Sequence, residues 1–222
     1  MSYLQSTYHS KIYRDFKAIE ATAYRDMIHF YEKQESEIRA LDFDENFELL
    51  TCYVNALFEV GYYRKHLLIV DVVIETAISN NIDFYKGEDI FLKMLFRKAA
   101  SLYNLLEYEK SEYILREIIR INPWDKDAIQ FLKKCKRRQQ PRYLQYARAT
   151  SIFLFLTAAV IIALEVLFVR TFYRQLVLEI EQARFVIFGI GGVLLIGADL
   201  FHRLRTERQV NAFVQETRLR KG

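Results

Sequence analysis

Two apolar stretches constrain this chain more than anything else in it. From Ala149 to Val169, "ATSIFLFLTAAVIIALEVLFV" holds one ionisable residue, Glu165; from Phe185 to Phe201, "FVIFGIGGVLLIGADLF" holds one, Asp199. As a helix rising ~1.5 Å per residue, the first spans a ~30 Å hydrocarbon core, and the second meets the ~17-residue lower limit. Two transmembrane helices in a hairpin are therefore expected; two buried helices of a soluble core are the alternative. Position carries this reading, because the overall apolar content of 52% is close to that of soluble proteins.

The charges say how such a hairpin faces. The net charge of +4 hides an acidic first part and a basic second part. Seven Lys/Arg and no acid lie between Lys133 and Arg148, and six Lys/Arg against two acids follow Phe201. Lys and Arg near membrane ends are retained on the cytoplasmic side. Both dense clusters lie outside the hairpin, so both termini are expected in the cytoplasm. A bacterial cytoplasmic membrane is the first expectation, and an organelle membrane facing the cytosol the alternative. The N-terminal "MSYLQSTYHSKIYRDFK" has no apolar core of the signal-peptide kind. Cys52 and Cys135 are far apart, which suits a reducing compartment. The basic flanks also suit anionic lipid headgroups. Nucleic acid is not an expected partner, because the folded head, residues 1–132, has 16 Lys/Arg against 22 Asp/Glu.

The expected organisation is a cytoplasmic α-helical domain (1–140), a basic juxtamembrane linker (141–148), transmembrane segments at 149–170 and 185–201, a short far-side connection (171–184) and a basic tail (202–222). Helical spacing of Ile12, Phe16, Ile19, Ala23, Met27 and Phe30 predicts one long first helix from about Ser10 to Arg39. Asp42 with Glu45 has the form of a capping box opening a second helix through Phe58, which Gly61 ends. A third runs from about Arg64 to Ser79, "SNNIDFYKGED" is a loop, and a fourth and fifth run from about Asp89 to Leu105 and Tyr108 to Ile121. Asn122 is the expected cap, and Pro123 the first residue, of a sixth helix ending near Gln140.

Aligning Gly61 with Leu106 superposes "ALFEVGYYRKHLLIVDVVI" on "SLYNLLEYEKSEYILREII", a shift of 45 residues. The second copy, "LFRKAASLYNLLEYEKSEYILREIIRINP", resembles the tetratricopeptide repeat: Leu95, Ala99 and Leu102 match its first helix, Tyr108, Ser111, Leu115 and Ile118 its second, and Pro123 its closing proline. The first copy (Leu50, Val54, Leu57, Gly61, Tyr63, His66, Val73) lacks that proline, and the shift exceeds the family's period of about 34. The fold class is accordingly all-α, a tetratricopeptide-like head plus two transmembrane helices. An irregular helical bundle is the alternative for the head. The resemblance implies a concave surface lined by the first helix of each hairpin, with Thr51, Asn55 and Phe58 beside Lys93, Phe96, Arg97, Ala100, Tyr103 and Asn104. Lys93 and Arg97 resemble two of the basic residues with which some such domains clamp a partner's terminal carboxylate, and Asn55 resembles the clamp's asparagine. Thr51 stands where a clamp lysine belongs. An ordinary solvated face is the other reading of Lys93 and Arg97.

The chemistry-bearing residues form no recognisable catalytic set. His9, His29, His66 and His202 are scattered without metal-ligand spacing, and His66 is expected at the edge of the core. The glycines of "GIGGVLLIG" lie inside an apolar span with no preceding strand and no Lys, so they suit close helix packing, with Gly189 and Gly192 on one face and Ala159 with Ala163 a small-residue pair on the other span. Glu165 and Asp199 sit at membrane depth, where ionisable groups are costly and often functional. Antiparallel geometry separates them in depth by roughly 15 Å, so they cannot act as an acid pair. Glu165 is expected to pair with Arg184 or Arg170, or to reach interfacial water, and Asp199 with Arg203. No enzyme activity, cofactor, metal or small-molecule substrate is expected. The expected function is that of a membrane-anchored adaptor whose head binds a protein or peptide partner; an accessory subunit of a transporter or envelope complex, acting through its spans, is the alternative.

Overall fold

A computed structural model describes residues 10–82, 84–85, 87–169 and 177–221. Among them the chain is all-α apart from one short β-hairpin, β1 (Phe84–Tyr85) paired antiparallel with β2 (Glu88–Asp89). It divides into two compact units, Met1–Ala128 and Ile129–Gly222. The boundary falls inside a helix, so the basic residues after Ala128 belong with the hairpin rather than with the head.

The first unit does not open with one long helix. It has α1 (Lys11–Lys17), α2 (Tyr24–Lys33) and α3 (Glu35–Arg39). No Gly or Pro forces these breaks; packing does. A straight helix over these 30 residues would run ~45 Å, far past the 18-residue α4 (Phe43–Val60) on which it packs. Folding back lets Phe16, Ile28, Tyr31 and Ile38 share one core with Leu49, Tyr53, Ala56 and Leu57 of α4. Phe16 meets Phe30 edge-on at 5.7 Å, and Tyr31 stacks on Tyr53 at 4.1 Å.

Asp42 caps α4 by accepting from the Glu45 amide. The nearly buried Glu45 carboxylate accepts from the Ser10 amide at 2.8 Å, tying the start of α1 to the start of α4. Gly61 closes α4 at φ +86°, with the Tyr62 amide donating to the Leu57 carbonyl, a Schellman closure that only glycine enters without strain. α5 (Tyr63–Ser79) then packs on α6 (Ile90–Asn104), and α6 on α7 (Tyr108–Ile121). The two helical hairpins, α4–α5 and α6–α7, thus follow one another in space as in sequence. Polar ties reinforce them: Lys98 to Asp71 at 2.6 Å, and the Ser111 hydroxyl donating to the Ala99 carbonyl at 2.8 Å. The loop expected between α5 and α6 contains the β-hairpin. Its last residue, Asp89, caps α6 through the Leu92 amide.

The sixth expected helix starts later than its sequence suggests. α8 is Lys126–Arg138, capped by Asp125, whose carboxylate accepts from the Asp127 and Ala128 amides. Asn122 makes only a local turn with the Trp124 amide, and Pro123 lies in that turn rather than in the helix.

In the second unit, residues 142–148 of the expected linker are the first turns of α9 (Arg142–Leu164), which passes into a π-helical turn at Glu165–Val169. Residues 170–176 of the expected connection lie outside the described residues. From Val177 the chain is one helix, α10 (Val177–Lys221), so the expected tail continues the second apolar stretch without a break. Both helices are long and apolar enough to cross a membrane. Their seam is spaced by sevens: Leu144, Ser151 and Ala158 are buried on α9 and Glu165 at the start of the π-helical turn, and Gly191 on α10 faces them with Arg184 seven residues before it. A seven-residue repeat is the signature of helices coiled at a shallow left-handed crossing.

That seam corrects the expected glycine packing. Gly191 is the close-approach residue: a Cβ there would meet the Phe155 ring at 3.1 Å, and its carbonyl accepts from the Ser151 hydroxyl at 2.7 Å. Gly189 and Gly192 have open space where a Cβ would stand, and Ala159 and Ala163 are exposed.

Candidate functional site

In the head, three of the expected groove residues come together. The Arg97 guanidinium lies over the Phe58 ring at 5.0 Å and reaches the Asn55 carbonyl at 3.5 Å. It also pairs with Glu59 at 3.2 Å, an acid not singled out from the sequence although it stands four residues after Asn55. Lys93, one turn earlier on α6, is drawn the other way and pairs with Glu88 of the β-hairpin; its ammonium holds the Glu88 carboxyl below the usual range. Tyr103 packs edge-on against Tyr108, and Asn104 is exposed at the end of α6. Tyr103 lies six residues, ~9 Å, further along the helix than Arg97.

Thr51 is not part of an open groove. It is buried, with its hydroxyl lacking a partner among the described residues. A cavity of about 350 Å³ is bounded by Phe16, Met27, Cys52, Asn55, Glu59 and Arg97. The segment joining α1 and α2 therefore forms one wall of the space that two hairpins alone would have left open. The Asn55 side-chain oxygen is also without a partner among the described residues.

Beside this cavity, His66 is fully buried rather than at the core edge. Its Nδ1 is 2.9 Å from the Ser101 hydroxyl, and Nε2 has no partner among the described residues. Burial, with a smaller push from the Arg97 charge, lowers its pKa to about 4, so the ring is neutral at physiological pH.

In the hairpin, the lone acid of each apolar stretch meets arginine. Glu165 is fully buried and accepts from Arg184 at 2.7 Å; Arg184 also lies 3.6 Å from Glu181 and stacks over Phe185. The expected alternative partner Arg170 falls outside the described residues. Asp199 accepts from Arg148 at 3.0 Å across the two helices and lies 3.6 Å from Arg203 on its own helix. The cross-helix arginine is the partner that sequence spacing did not identify.

No protein-family model, no curated protein and no solved structure matches this chain.

Proposed function

We propose that this protein is an integral membrane adaptor, anchored by the α9–α10 hairpin with both termini cytoplasmic, whose tetratricopeptide-like head binds an acidic segment or chain end of a protein partner. The observation that carries this reading is the cation at the mouth of the head cavity. Arg97 is positioned by the Phe58 face and the Asn55 carbonyl, beside an apolar floor from Phe16 and Met27. A planar guanidinium next to an apolar hollow is a common anchor for a carboxylate-bearing peptide. Glu59 occupies that guanidinium in the free protein, so a partner carboxylate binds by exchange with Glu59. The bacterial cytoplasmic membrane is the membrane we favour.

The test is partner crosslinking in membranes with Lys93→Glu and Arg97→Glu together. Loss of partners from a head that keeps its helicity is the expected result, and an unchanged partner set discards the groove. Topology is checked by single cysteines in a chain whose own two are replaced by Ser. Gln182→Cys should label from outside intact cells, and Gln140→Cys and Gln209→Cys should not.

A second reading, an accessory subunit acting through its spans, is favoured by one feature. Gly189, Gly192 and Gly197 face away from α9 with open space at the Cβ position, leaving smooth surface for another span. Loss of function on replacing these with Leu, with the head cavity intact, selects it.

A further inference from the structure

The second unit contains a cleft that neither the adaptor reading nor the hairpin seam uses. It has a volume of about 650 Å³ and lies between the end of α8, the start of α9 and the middle of α10. Six Lys/Arg line it, among them Lys133, Arg137, Arg138, Arg148 and Arg203, against a single carboxylate, Asp199. Arg137 is neutralised from outside the cleft by Glu207. Lys133 and Arg138, beside Arg148 and Arg203 that share Asp199, leave an excess of cations in the cleft, and repulsion among them favours an anion in their midst.

His202 adds a second, independent indication. It lines the same cleft at 8% exposure. The Tyr143 hydroxyl, 2.9 Å away, occupies Nδ1, and Nε2 has no partner among the described residues. In the tautomer whose Nδ1 accepts from the Tyr143 hydroxyl, Nε2 carries the proton and offers a donor. A nearly buried polar atom without a partner is costly unless a ligand completes it.

Next to the cleft runs a groove of about 410 Å³ that shares Arg148, Asp199 and Arg203 with it and is otherwise lined by Leu195, Ile196 and Leu200. A cationic cleft that continues into an apolar groove on the outside of a membrane-length helix matches one kind of molecule: a phosphate-bearing head joined to a hydrocarbon chain. We propose that this cleft and groove bind a single anionic phospholipid, its phosphate among Lys133, Arg138 and Arg203 and one acyl chain along Leu195, Ile196 and Leu200. The inference rests on the reading of α9–α10 as a membrane hairpin. It goes beyond the attraction of any basic flank for headgroups, because it assigns one stoichiometric site. The Arg148–Asp199–Arg203 cluster fixes the depth of that site, since Arg148 precedes the first apolar stretch and Asp199 falls near the end of the second.

The test uses the full chain in nanodiscs of phosphatidylcholine and phosphatidylglycerol with identical acyl chains, read by native mass spectrometry after release. One phosphatidylglycerol retained per chain, in preference to phosphatidylcholine, is expected. At a few-fold per cation near a membrane surface, Lys133→Gln with Arg138→Gln lowers retention about thirtyfold. Arg208→Gln with Arg218→Gln removes the same charge outside the cleft and changes retention less than about twofold. Equal losses in the two pairs would mean diffuse attraction and overturn the site. Ile196→Trp, which fills the groove, should weaken phosphatidylglycerol but leave the binding of inorganic phosphate intact. If millimolar inorganic phosphate displaces the lipid and Ile196→Trp has no effect, the occupant is a soluble phosphate and the lipid assignment fails. Carbonate washing of membranes separates the two levels. Release of the chain sinks the hairpin reading and the site with it, whereas a chain that stays in the membrane without preferring phosphatidylglycerol sinks the site alone.

Discussion

The head and the hairpin are both made of helices, yet opposite kinds of residue hold them together. The head buries Leu49, Leu57, Met94, Leu115 and Ile118, and leaves its ion pairs at the surface. The hairpin leaves most of its large apolar side chains exposed, Phe153, Leu167, Val193 and Ile196 among them, and buries Ser151, Ala158, Gly191 and Glu165. Water explains the first pattern, and hydrocarbon would explain the second on the proposed reading of α9 and α10 as membrane spans. In water, hiding a leucine is the main gain; in lipid tails it gains almost nothing, so close backbone approach and polar pairing decide which faces meet. Each unit should therefore break by a different kind of substitution.

The largest effect is expected at the buried ion pair. Removing one partner of a buried pair leaves the other charge uncompensated, at roughly 4 kcal/mol. Glu165→Gln strands Arg184, to which Glu181 offers only a 3.6 Å contact. Glu165→Gln with Arg184→Gln should recover part of that loss. The measurement is detergent-driven unfolding of the hairpin read by helicity, in a double-mutant cycle. Additive losses would remove the pair as a source of hairpin stability.

The next comparison sets packing against packing. Leu57→Ala opens a cavity in the head and should cost about 3 kcal/mol in denaturant unfolding. In the hairpin the harmful change runs from small to large. Gly191→Leu drives a side chain into the Phe155 ring and should cost about 2 kcal/mol, whereas Gly189→Leu, which meets open space, should cost little. Equal responses at the two glycines would contradict the seam.

These two regions also differed in how readable they were. Hydrocarbon thickness imposes a length, so two stretches long and apolar enough to cross a membrane could be seen in the sequence, and the scarcity of charge inside them made Glu165 and Asp199 visible. The seam could not be seen, because Leu144, Ser151, Ala158 and Glu165 share a spacing but no chemistry. Helix ends were legible where a special residue marks them, as at Gly61 and Asp42. They were not where tertiary packing broke α1 from α2 without Gly or Pro, nor where Asp125 displaced Asn122 as the cap. At the candidate site, helical spacing placed Lys93 and Arg97 on one face, and Asn55 and Phe58 do meet Arg97. What separates Lys93 from them is Glu88, which a loop prediction left without a position.

A third, smaller effect concerns pH. His66 has its folded-state pKa lowered to about 4 from an ordinary 6.5, so between these values the unfolded chain binds the proton that the folded head refuses. Stability is then full above about pH 6.5 and falls as pH drops toward 4. At pH 5 the loss is about 2 kcal/mol relative to pH 7. His66→Leu should flatten this part of the pH profile of head unfolding, while leaving any acid loss below pH 4 from the carboxylates. An unchanged slope between pH 6.5 and 5 would mean that the ring is not buried neutral.

The smallest effect sharpens the comparison most, because one substitution should change sign between the two regions. Gly61 ends α4 at φ +86°, where an alanine Cβ is strained even though space is available: the nearest atoms to it would belong to Tyr63 at 3.8 Å. Gly61→Ala should therefore destabilise the head by about 1 kcal/mol. Gly197 sits inside α10 with ordinary helical backbone and nothing within contact distance of its Cβ position. There alanine removes the conformational freedom that glycine keeps in the unfolded chain and adds no clash, so Gly197→Ala should stabilise the hairpin by up to about 1 kcal/mol. Thermal unfolding of the first variant and detergent unfolding of the second give the two signs. Destabilisation at both positions would mean that the outer face of α10 at Gly197 is already packed against something, and would point to the subunit reading over the adaptor one.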